Sequence, residues 1–369
     1  MRVTFDAQVF SFQEYGGISQ YFYQLFKIFS TLKNVTPEFL IKYSNNIYAP
    51  GITTTQVKRF FPSYRFKGRN EIIKSLNRRY VKKRFRVGSK PELFHPTYYD
   101  PYFLELLGGV PFVLTIYDMA HEHYPHLFSK FDYTPSNKKK VALQASRIIA
   151  ISEHTKKDLS AFLHIPESII DVIPLATTLS AAITKRPDYS VPENFILYVG
   201  KRNTYKNFLF LIEAFNTLAA TNRTLALVCA GGGKFTREEQ RKIAKYHLTG
   251  RITHVQVDDT ALSYLYTKAQ AFVFPSLYEG FGIPVLEAFA CGCPAVLSKK
   301  SSLPEVGGDA ARYFDPENAE SLVATLAEVL EDKNLSDSFR IKGFERIKSF
   351  SWEKTARLTV ETYKKAIGS

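Results

Sequence analysis

The chain has 369 residues and carries 49 Lys and Arg against 35 Asp and Glu, for a formal net charge of +14, and 45% of its residues are hydrophobic. This length exceeds what a single hydrophobic core usually supports, so two domains are expected. No stretch reaches the length of a membrane-spanning helix, the N-terminus indicates a strand rather than a signal segment, and three cysteines cannot form a disulfide-stapled scaffold, so we expect a cytoplasmic globular protein.

Short runs rich in Val, Ile and Phe alternate with amphipathic stretches of helical length, which is the pattern of parallel sheets covered by helices. In the first half of the chain the predicted strands are 3–6, 38–43, 111–117 and 147–151. In the second half the predicted strands are 194–200, 224–231, 251–257, 271–276 and 294–298.

Between the two halves, residues 175–192 contain prolines and no clear period, so a linker is expected there. The predicted fold class is α/β, with two doubly wound Rossmann-like domains facing a cleft. The expected N-terminal domain covers 1–178 and the C-terminal domain covers 179–350. The final helical stretch, 351–369, is expected to return to the first domain.

The segment FPSLYEGFGIPVLEAFACGCPAV, residues 274–296, indicates a strand end, a glycine loop and a helix start. Pro284 suits the first turn of a helix, where its missing N–H costs nothing. Gly280 and Gly282 allow a close approach to the backbone, and the free amides that follow form a site for an anion or for hydroxyl groups.

Two carboxylates flank this loop. Glu279 precedes the helix and Glu287 lies within it, so the pair can bracket a ligand that lies across the helix start. Carboxylates in such a position suit sugar hydroxyls, since each oxygen accepts from a neighbouring OH. Two glutamates at this spacing also fit a solvated acid and a helix-start acid, but the glycines and the proline favour a binding site.

A basic cluster follows the strand 194–200. Lys201, Arg202 and Lys206 lie between that strand and the next helix, where a diphosphate would gain both charge and helix dipole. Ordinary surface lysines would give the same pattern. No Asp-x-Asp occurs in the chain, so we expect cations and helix ends, rather than a carboxylate-bound metal ion, to neutralise the diphosphate, and we expect no metal.

Together these motifs resemble the GT-B glycosyltransferases, specifically the retaining family 4 type (glycosyltransferases group 1), over essentially the whole chain. The resemblance implies a donor-binding loop made of Glu279, Gly280, Phe281, Gly282, Ile283 and Glu287. Within this loop Glu279 would bond the donor sugar hydroxyls, and Glu287 would hold the ribose diol. The backbone amides between them would face the sugar or the phosphates.

VGKRNTYKN is similar to the phosphate motif of the family, an Arg followed five residues later by a Lys. Here Lys201 stands at the Arg position and Lys206 at the Lys position, and Arg202 is the candidate for the missing guanidinium. The resemblance implies that these cations stabilise the departing diphosphate during front-face attack by an acceptor hydroxyl.

Two backbone regions are also implicated by the resemblance. EYGGISQYF is similar to the glycine loop that faces the donor phosphates, which implicates Gly16 and Gly17, although a tight turn before a helix would need the same glycines. The stretch around Val257 matches the region that approaches the nucleotide base.

TIYDMAHEHYP resembles the stretch in which many members of the family have His-Asp at the active centre. This chain has Tyr117 and Asp118 instead, and the resemblance implies that Asp118 is a catalytic candidate. Either Tyr117 takes over a hydroxyl contact to sugar or acceptor, or His121 or His123 reaches in, and histidines in such positions are also often structural.

Residues 58–90 contain thirteen Lys or Arg against one acid, Glu71. Ile72, Ile73, Leu76 and Tyr80 fall near one helical face with basic residues around them, which is typical of a helix lying on an anionic membrane. Nucleic-acid binding or a solvated basic face would need the same charge. The lipid-borne acceptors of the family favour the membrane, so we expect peripheral association with its cytoplasmic face and no nucleic-acid partner.

The function expected from these observations is transfer of a hexose, with mannose from GDP-mannose as the first choice, to a lipid-linked or surface glycan. Rhamnosyl and glucosyl donors remain open. The alternatives are a nucleotide-sugar epimerase on the same fold and a basic nucleic-acid-binding protein. A dinucleotide oxidoreductase is disfavoured because no Gly-x-Gly-x-x-Gly follows the first strand.

Overall fold

The structure is a computed structural model that describes residues 1–53, 56–88, 90–202 and 204–368. The chain divides into two compact units. The first unit combines Met1–Leu175 with Trp352–Ser369, and the second unit is Ala176–Ser351. Each unit has parallel strands with helices between them, as the α/β prediction requires.

The first unit contains six parallel strands within its described residues. They are β1 (Arg2–Phe5), β2 (Thr36–Phe39), β3 (Leu93–His95), β4 (Val113–Ile116), β5 (Arg147–Ala150) and β6 (Ile170–Val172). One sheet has the order β2-β1-β3 and the other the order β4-β5-β6. A parallel bridge between Phe94 and Phe112 joins β3 to the residue just before β4. Sequence reasoning missed β3 and β6, because three residues are too few to show a pattern.

The helices of the first unit follow its strands. They are α1 (Gln8–Phe12), α2 (Gly17–Phe29), α3 (Arg69–Val87), α4 (Leu104–Leu107), α5 (Ala120–His123), α6 (Thr134–Ala142) and α7 (Glu153–Leu163). Short 3-10 helices lie at Ala49–Gly51, Pro101–Phe103, Pro125–Leu127 and Glu167–Ile169. On α2 the side chains of Tyr21, Phe22, Leu25 and Phe29 are buried, at the spacing of one helical face.

The second unit contains one parallel sheet of six strands. They are β7 (Phe195–Val199), β8 (Ala226–Ala230), β9 (Ile252–Val255), β10 (Ala271–Phe274), β11 (Ala295–Ser298) and β12 (Ala311–Phe314). Their order is β12-β11-β10-β7-β8-β9, so the direction of winding reverses between β7 and β10. Ligands of such sheets bind outside the carboxyl ends of the strands at this reversal. The edge strand β12 was not predicted from the sequence.

The helices of the second unit follow its strands. They are α8 (Phe208–Thr221), α9 (Arg237–Lys245), α10 (Asp259–Lys268), α11 (Ile283–Ala290), α12 (Leu303–Gly307), α13 (Ala319–Glu331) and α14 (Lys333–Ile347). Short 3-10 helices lie at Ala181–Ile183, Thr204–Lys206 and Gly308–Ala310. Leu211 and Phe215 of α8 share one buried cluster with Leu322 and Leu326 of α13. This cluster fixes the sheet that carries the loops described below.

The last helix, α15 (Trp352–Gly368), packs on the first unit, which confirms the predicted return. Its Tyr363 hydroxyl lies 2.7 Å from Nδ1 of His95, at the end of β3. Lys365 Nζ lies 2.6 Å from a carboxylate oxygen of Asp171 in β6. These contacts tie the end of the chain to strands far from it in sequence.

The structure of helix α3 changes the prediction for the basic segment 58–90. Ser89 of this segment lies outside the described residues. Ile73, Asn77 and Val81 are buried, at a spacing of four residues. Ile73 is therefore part of the core and is not available to lipid. The prediction that it lies on the membrane-facing side of the helix is wrong. Arg78 forms an ion pair with Asp100. Within the described part of the chain, no helix is both long and apolar enough to cross a membrane.

Candidate functional site

The winding reversal of the second sheet brings two predicted residues together. Strand β10 pairs with β7, so the loops that follow these two strands are neighbours. Lys206 follows β7 and Glu279 follows β10, and Lys206 Nζ lies 2.6 Å from each carboxylate oxygen of Glu279. The amide of Leu277 also donates to the carbonyl of Tyr205 at 2.8 Å, which fixes one loop against the other.

The Lys206–Glu279 ion pair is partly shielded from water. The two side chains are 18% and 10% exposed. Ser276 Oγ donates to Glu279 at 2.7 Å, and Lys206 Nζ lies over the ring of Phe274, 5.9 Å from its centroid. Because the local dielectric is lower than in bulk water, both charges interact strongly with whatever lies beside them. The arrangement offers a cation and a carboxylate at one point.

The glycine loop next to this pair exposes a helix start. Gly282 adopts φ +99°, and a Cβ there would lie 2.9 Å from Cδ2 of Leu303, so only glycine fits without a shift. The amides of Phe281, Gly282 and Ile283 donate no hydrogen bond within the described residues. Such amides at the start of α11 form an anion site.

Serine side chains after β11 hold the loop in place. Ser302 Oγ contacts the carbonyls of Glu279 and Phe281, at 2.9 and 3.0 Å. The amide of Glu279 donates to Ser301 Oγ at 2.9 Å, and the buried Gly280 lies between these fixed points. Sequence reasoning missed both serines, since two serines after a strand resemble any turn.

Glu287 lies on α11, one turn after the start of the helix. The hydroxyl of Tyr266 donates to its Oε2 at 3.0 Å. Burial raises the pKa of the Glu287 carboxyl from its ordinary value to about 7. A carboxylate with few partners of its own and a destabilised charge gains from hydroxyl donors, as a ribose diol would supply. Tyr266 is a further supporting residue that the sequence did not reveal.

Lys201 and Arg202 differ sharply in the structure. Lys201 is exposed and makes no ion pair within the described part of the chain. The Arg202 guanidinium is 3% exposed and pairs with Glu239 at 3.0 Å. It also donates to the carbonyls of Gly231, Gly233 and Lys234. These contacts hold the glycine turn after β8, and the predicted contact of Arg202 with a phosphate stays a prediction.

The other residues predicted to contact the donor lie in loops or at the start of a helix. Val257 lies in the loop between β9 and α10 and is partly exposed. Gly16 is the residue before α2, and Gly17 is the first residue of that helix. The carbonyl of Gly16 accepts from the amide of Gln20 at 3.0 Å, as expected for a helix start.

Tyr117 and Asp118 follow β4 in the first unit. Tyr117 is 7% exposed, and its hydroxyl has no hydrogen-bond partner within the described residues. Asp118 Oδ1 accepts from the amide of Ala120 at 3.1 Å. Lys138, whose side chain is 1% exposed, donates to the carbonyl of Asp118 at 2.9 Å and to Glu122 at 2.8 Å. A lysine in a polar helix indicates a surface position, so sequence reasoning missed Lys138.

The two nearby histidines both contact acids. His121 Nε2 lies 3.1 Å from Asp132, and its ring stacks on Phe128 with centroids 3.8 Å apart. His123 Nε2 lies 3.0 Å from Asp158 on α7. These contacts give each histidine a structural role, and contact with a substrate stays a prediction.

Both units of the chain are similar to known protein families. Residues 15–180 match the family Glycosyltransferase Family 4, and residues 182–346 match the family Glycosyl transferases group 1. O-antigen chain mannosyltransferase B from Escherichia coli is 29% identical over 290 residues, which is 74% of each chain. Serotype-specific mannosyltransferase WbdA from Escherichia coli is 28% identical over 242 residues, which is 61% of this chain and 29% of that protein.

A solved structure shows the same fold over nearly the whole chain. Sucrose-phosphate synthase from Thermosynechococcus elongatus superposes with a TM-score of 0.77 at 19% identity, and the match covers 98% of both chains. The first match covers most of the first unit and ends at residue 180, close to the unit boundary after Leu175, and the second match lies within the second unit. The chain therefore belongs to the group 1, family 4 glycosyltransferases, which have the GT-B fold.

Proposed function

We propose that the protein is a retaining mannosyltransferase that uses GDP-mannose and extends a lipid-linked or surface glycan. The observation that carries the proposal is the Lys206–Glu279 pair beside the open amides of α11. The choice of mannose rests on the two relatives named mannosyltransferases, and the choice of a glycan acceptor rests on the O-antigen named in one of them.

The donor has a separate group of contacts for each of its parts. The diphosphate is proposed to lie against Lys201, Lys206 and the amides at the start of α11, where charge and helix dipole favour an anion. Glu279 accepts hydrogen bonds from the sugar hydroxyls, and Glu287 accepts them from the ribose diol. The base is proposed to lie by the loop at Val257.

The proposed reaction forms a bond from the acceptor oxygen to the anomeric carbon and breaks the bond from that carbon to the phosphate oxygen. The proton of the acceptor hydroxyl passes to the departing diphosphate. As the donor enters, Lys206 shifts contact from Glu279 toward the phosphates, where it stabilises the charge that develops. Glu279 then holds the sugar while the acceptor attacks from the face that the diphosphate leaves, so the anomeric configuration is retained.

Donor choice can be tested by thermal stabilisation with a panel of sugar nucleotides. A ligand at 100 times its dissociation constant stabilises the folded state by about 2.7 kcal/mol. GDP-mannose and GDP are expected to raise the Tm more than UDP-glucose or dTDP-rhamnose at equal concentration. A larger shift with one of the other two donors would contradict the proposed mannose specificity.

Transfer activity is expected to survive EDTA. The structure offers Lys201, Lys206 and helix amides for the diphosphate, and a fixed cation can take the place of a divalent ion. The measurement is the initial rate of transfer before and after chelation, with a transferase known to need manganese as the control. Loss of activity that manganese or magnesium restores would contradict the prediction.

The membrane contact is proposed to be made by the outer face of α3. Arg79, Lys82, Lys83 and Arg86, the basic stripe, recur at three- and four-residue spacing opposite the buried face of the helix. These four side chains form no ion pair within the described residues. Anionic headgroups attract each such cation by about 1 kcal/mol. The stripe therefore replaces the apolar face that the sequence suggested.

Replacing all four residues of the basic stripe by Gln is expected to weaken binding to anionic vesicles at least about tenfold. The measurement is co-sedimentation with vesicles containing phosphatidylserine or with neutral phosphatidylcholine alone. The matched control replaces four exposed cations at α9 by Gln: Lys234, Arg237, Arg241 and Lys245. Equal binding by the parent and the stripe variant, or equal binding of the parent to both lipids, would reject the proposed contact.

A further inference from the structure

We infer that His123, His154 and Asp158 form a binding site for one divalent transition-metal ion, with Zn²⁺ as the best fit. Each residue offers one ligand atom, and the three atoms lie within 4.8 Å of one another. All three residues belong to the first unit. The Lys206–Glu279 pair belongs to the second unit and shares no residue with this cluster, so the inference does not depend on the proposed function.

The fold brings these ligands together by simple means. His154 and Asp158 stand four residues apart on α7, so their side chains share one face of that helix. The start of α7 is fixed by Ser152, whose side chain accepts from the amide of Thr155 at 3.0 Å. His123 comes from the end of α5, on a different part of the chain.

Two of the distances within the cluster are close to those between the ligand atoms of a metal-binding site. Asp158 Oδ1 lies 3.0 Å from His123 Nε2, and Asp158 Oδ2 lies 3.4 Å from His154 Nε2. In a tetrahedral zinc site with bonds of about 2.0–2.1 Å, neighbouring ligand atoms are about 3.3 Å apart. Small side-chain rotations therefore suffice to place all three atoms around one ion.

The chemistry of the three ligands also suits zinc. Two imidazoles and one carboxylate form a nitrogen and oxygen set that Zn²⁺ binds readily. The carboxylate supplies negative charge, and the Asp158 side chain is only 9% exposed, so that charge is poorly hydrated and gains from a cation. Each histidine side chain is 30% exposed, which leaves an entry path and room for water as a fourth ligand.

The metal would have a structural effect. Bound Zn²⁺ would tie α5 to α7, and α5 begins two residues after Asp118, the residue that follows Tyr117 at the end of β4. A metal ion that binds only the folded chain stabilises it, and the effect grows with the ratio of free metal concentration to the dissociation constant. Chelation is therefore expected to lower the Tm of the protein without stopping transfer at a temperature where the fold survives.

The test uses the full chain without a polyhistidine tag, stripped with a chelator and then titrated with ZnCl₂ alone against a zinc-sensitive dye. The three cysteines of the chain are buried and do not compete for the ion. Co²⁺ serves as a second probe, because its visible absorption distinguishes four-coordinate from six-coordinate binding. The variants are His123→Gln and His154→Gln, each with two ligands left, and the matched control is His126→Gln, an exposed histidine next to α5.

The expected result is one Zn²⁺ per chain for the parent and for His126→Gln, with a higher Tm on binding. His123→Gln and His154→Gln are expected to bind at least ~100-fold more weakly. Circular dichroism of the metal-free variants verifies that they are folded. Equal zinc binding by all four proteins, or no binding by the parent in tenfold excess of zinc, would overturn the inference and leave a hydrogen-bonded His–Asp–His cluster.

Discussion

Replacing Glu279 by Gln is expected to lower the kcat of glycosyl transfer by about 10²- to 10³-fold, while the affinity for nucleoside diphosphate changes by less than about threefold. The carboxylate lies 2.6 Å from Lys206 and beside the open amides of α11, where the reacting sugar is proposed to bind. Glutamine keeps the shape and one acceptor oxygen but removes the charge. The loss therefore appears in turnover rather than in nucleotide binding.

A surface ion pair of the same kind provides the matched control. Lys300 Nζ lies 2.8 Å from Glu317, and these side chains are 43% and 67% exposed. Glu317→Gln is expected to leave kcat unchanged, because exposed pairs contribute little. If Glu279→Gln and Glu317→Gln had the same kcat, the carboxylate of Glu279 would have no part in the transfer step.

Coupling between the two charges can be measured with a double-mutant cycle. Lys206→Met is expected to lower kcat on its own. In the double variant, the loss of transition-state stabilisation is expected to be much smaller than the sum of the losses in the two single variants. The reason is that each side chain orients the other in the free enzyme. Strictly additive losses would show that the two residues act independently.

Replacing Glu287 by Gln is expected to weaken binding of GDP about 10- to 100-fold at pH 8, because hydrogen bonds to a charged acceptor are the stronger ones. The pKa of this carboxyl is raised to about 7 by burial. At pH 6 the parent carboxyl is mostly protonated and therefore uncharged, like the glutamine. The difference in GDP affinity between the two proteins is therefore expected to be smaller at pH 6 than at pH 8. Isothermal titration with GDP at both pH values measures this.

The same substitution is expected to stabilise the unliganded protein at high pH. A carboxyl whose pKa is higher in the folded state, here about 7 against 4.5, contributes stability that is complete below pH 4.5 and lost as the pH rises through 7. Glutamine cannot ionise and avoids that loss, which amounts to about 2 kcal/mol at pH 8 for a partly exposed group.

Thermal unfolding of the parent and of Glu287→Gln at pH 5 and pH 8 tests whether the substitution stabilises the unliganded protein. The variant is expected to have the higher Tm at pH 8 and nearly the same Tm at pH 5. The control is Glu331→Gln, which changes an exposed glutamate on α13. A variant that is less stable than the parent at pH 8 would show that Glu287 is not held at a destabilising position.

The sequence predicted the general fold because its strongest patterns are local. Apolar runs marked the central strands of all three sheets, and the proline and glycines of 280–284 marked the start of α11. The resemblance to the family assigned Lys206 and Glu279, which follow different strands, to one sugar-nucleotide donor. Their direct contact depends on β10 lying beside β7, which is a property of strand order.

The rest depends on contacts between distant segments. Arg202 and Lys201 are neighbours in sequence, but only the partner Glu239 and the carbonyls of the glycine turn show that Arg202 is buried. Helix α3 has apolar residues at several angles, and which of them enters the core is decided by packing against α1. Lys138 is buried because Glu122 and a carbonyl satisfy its charge, and no sequence pattern marks such a partner.

The most direct test of the proposed function is acceptor-dependent turnover of GDP-mannose, followed by mass spectrometry of the acceptor and by NMR of the new linkage. The proposed function predicts one GDP released for each mannose added, an acceptor heavier by one hexose, and retention of the donor's anomeric configuration. It also predicts that Glu279→Gln forms little of this product while still binding GDP. Conversion of GDP-mannose to an epimer without acceptor, or a product of inverted configuration, would contradict it.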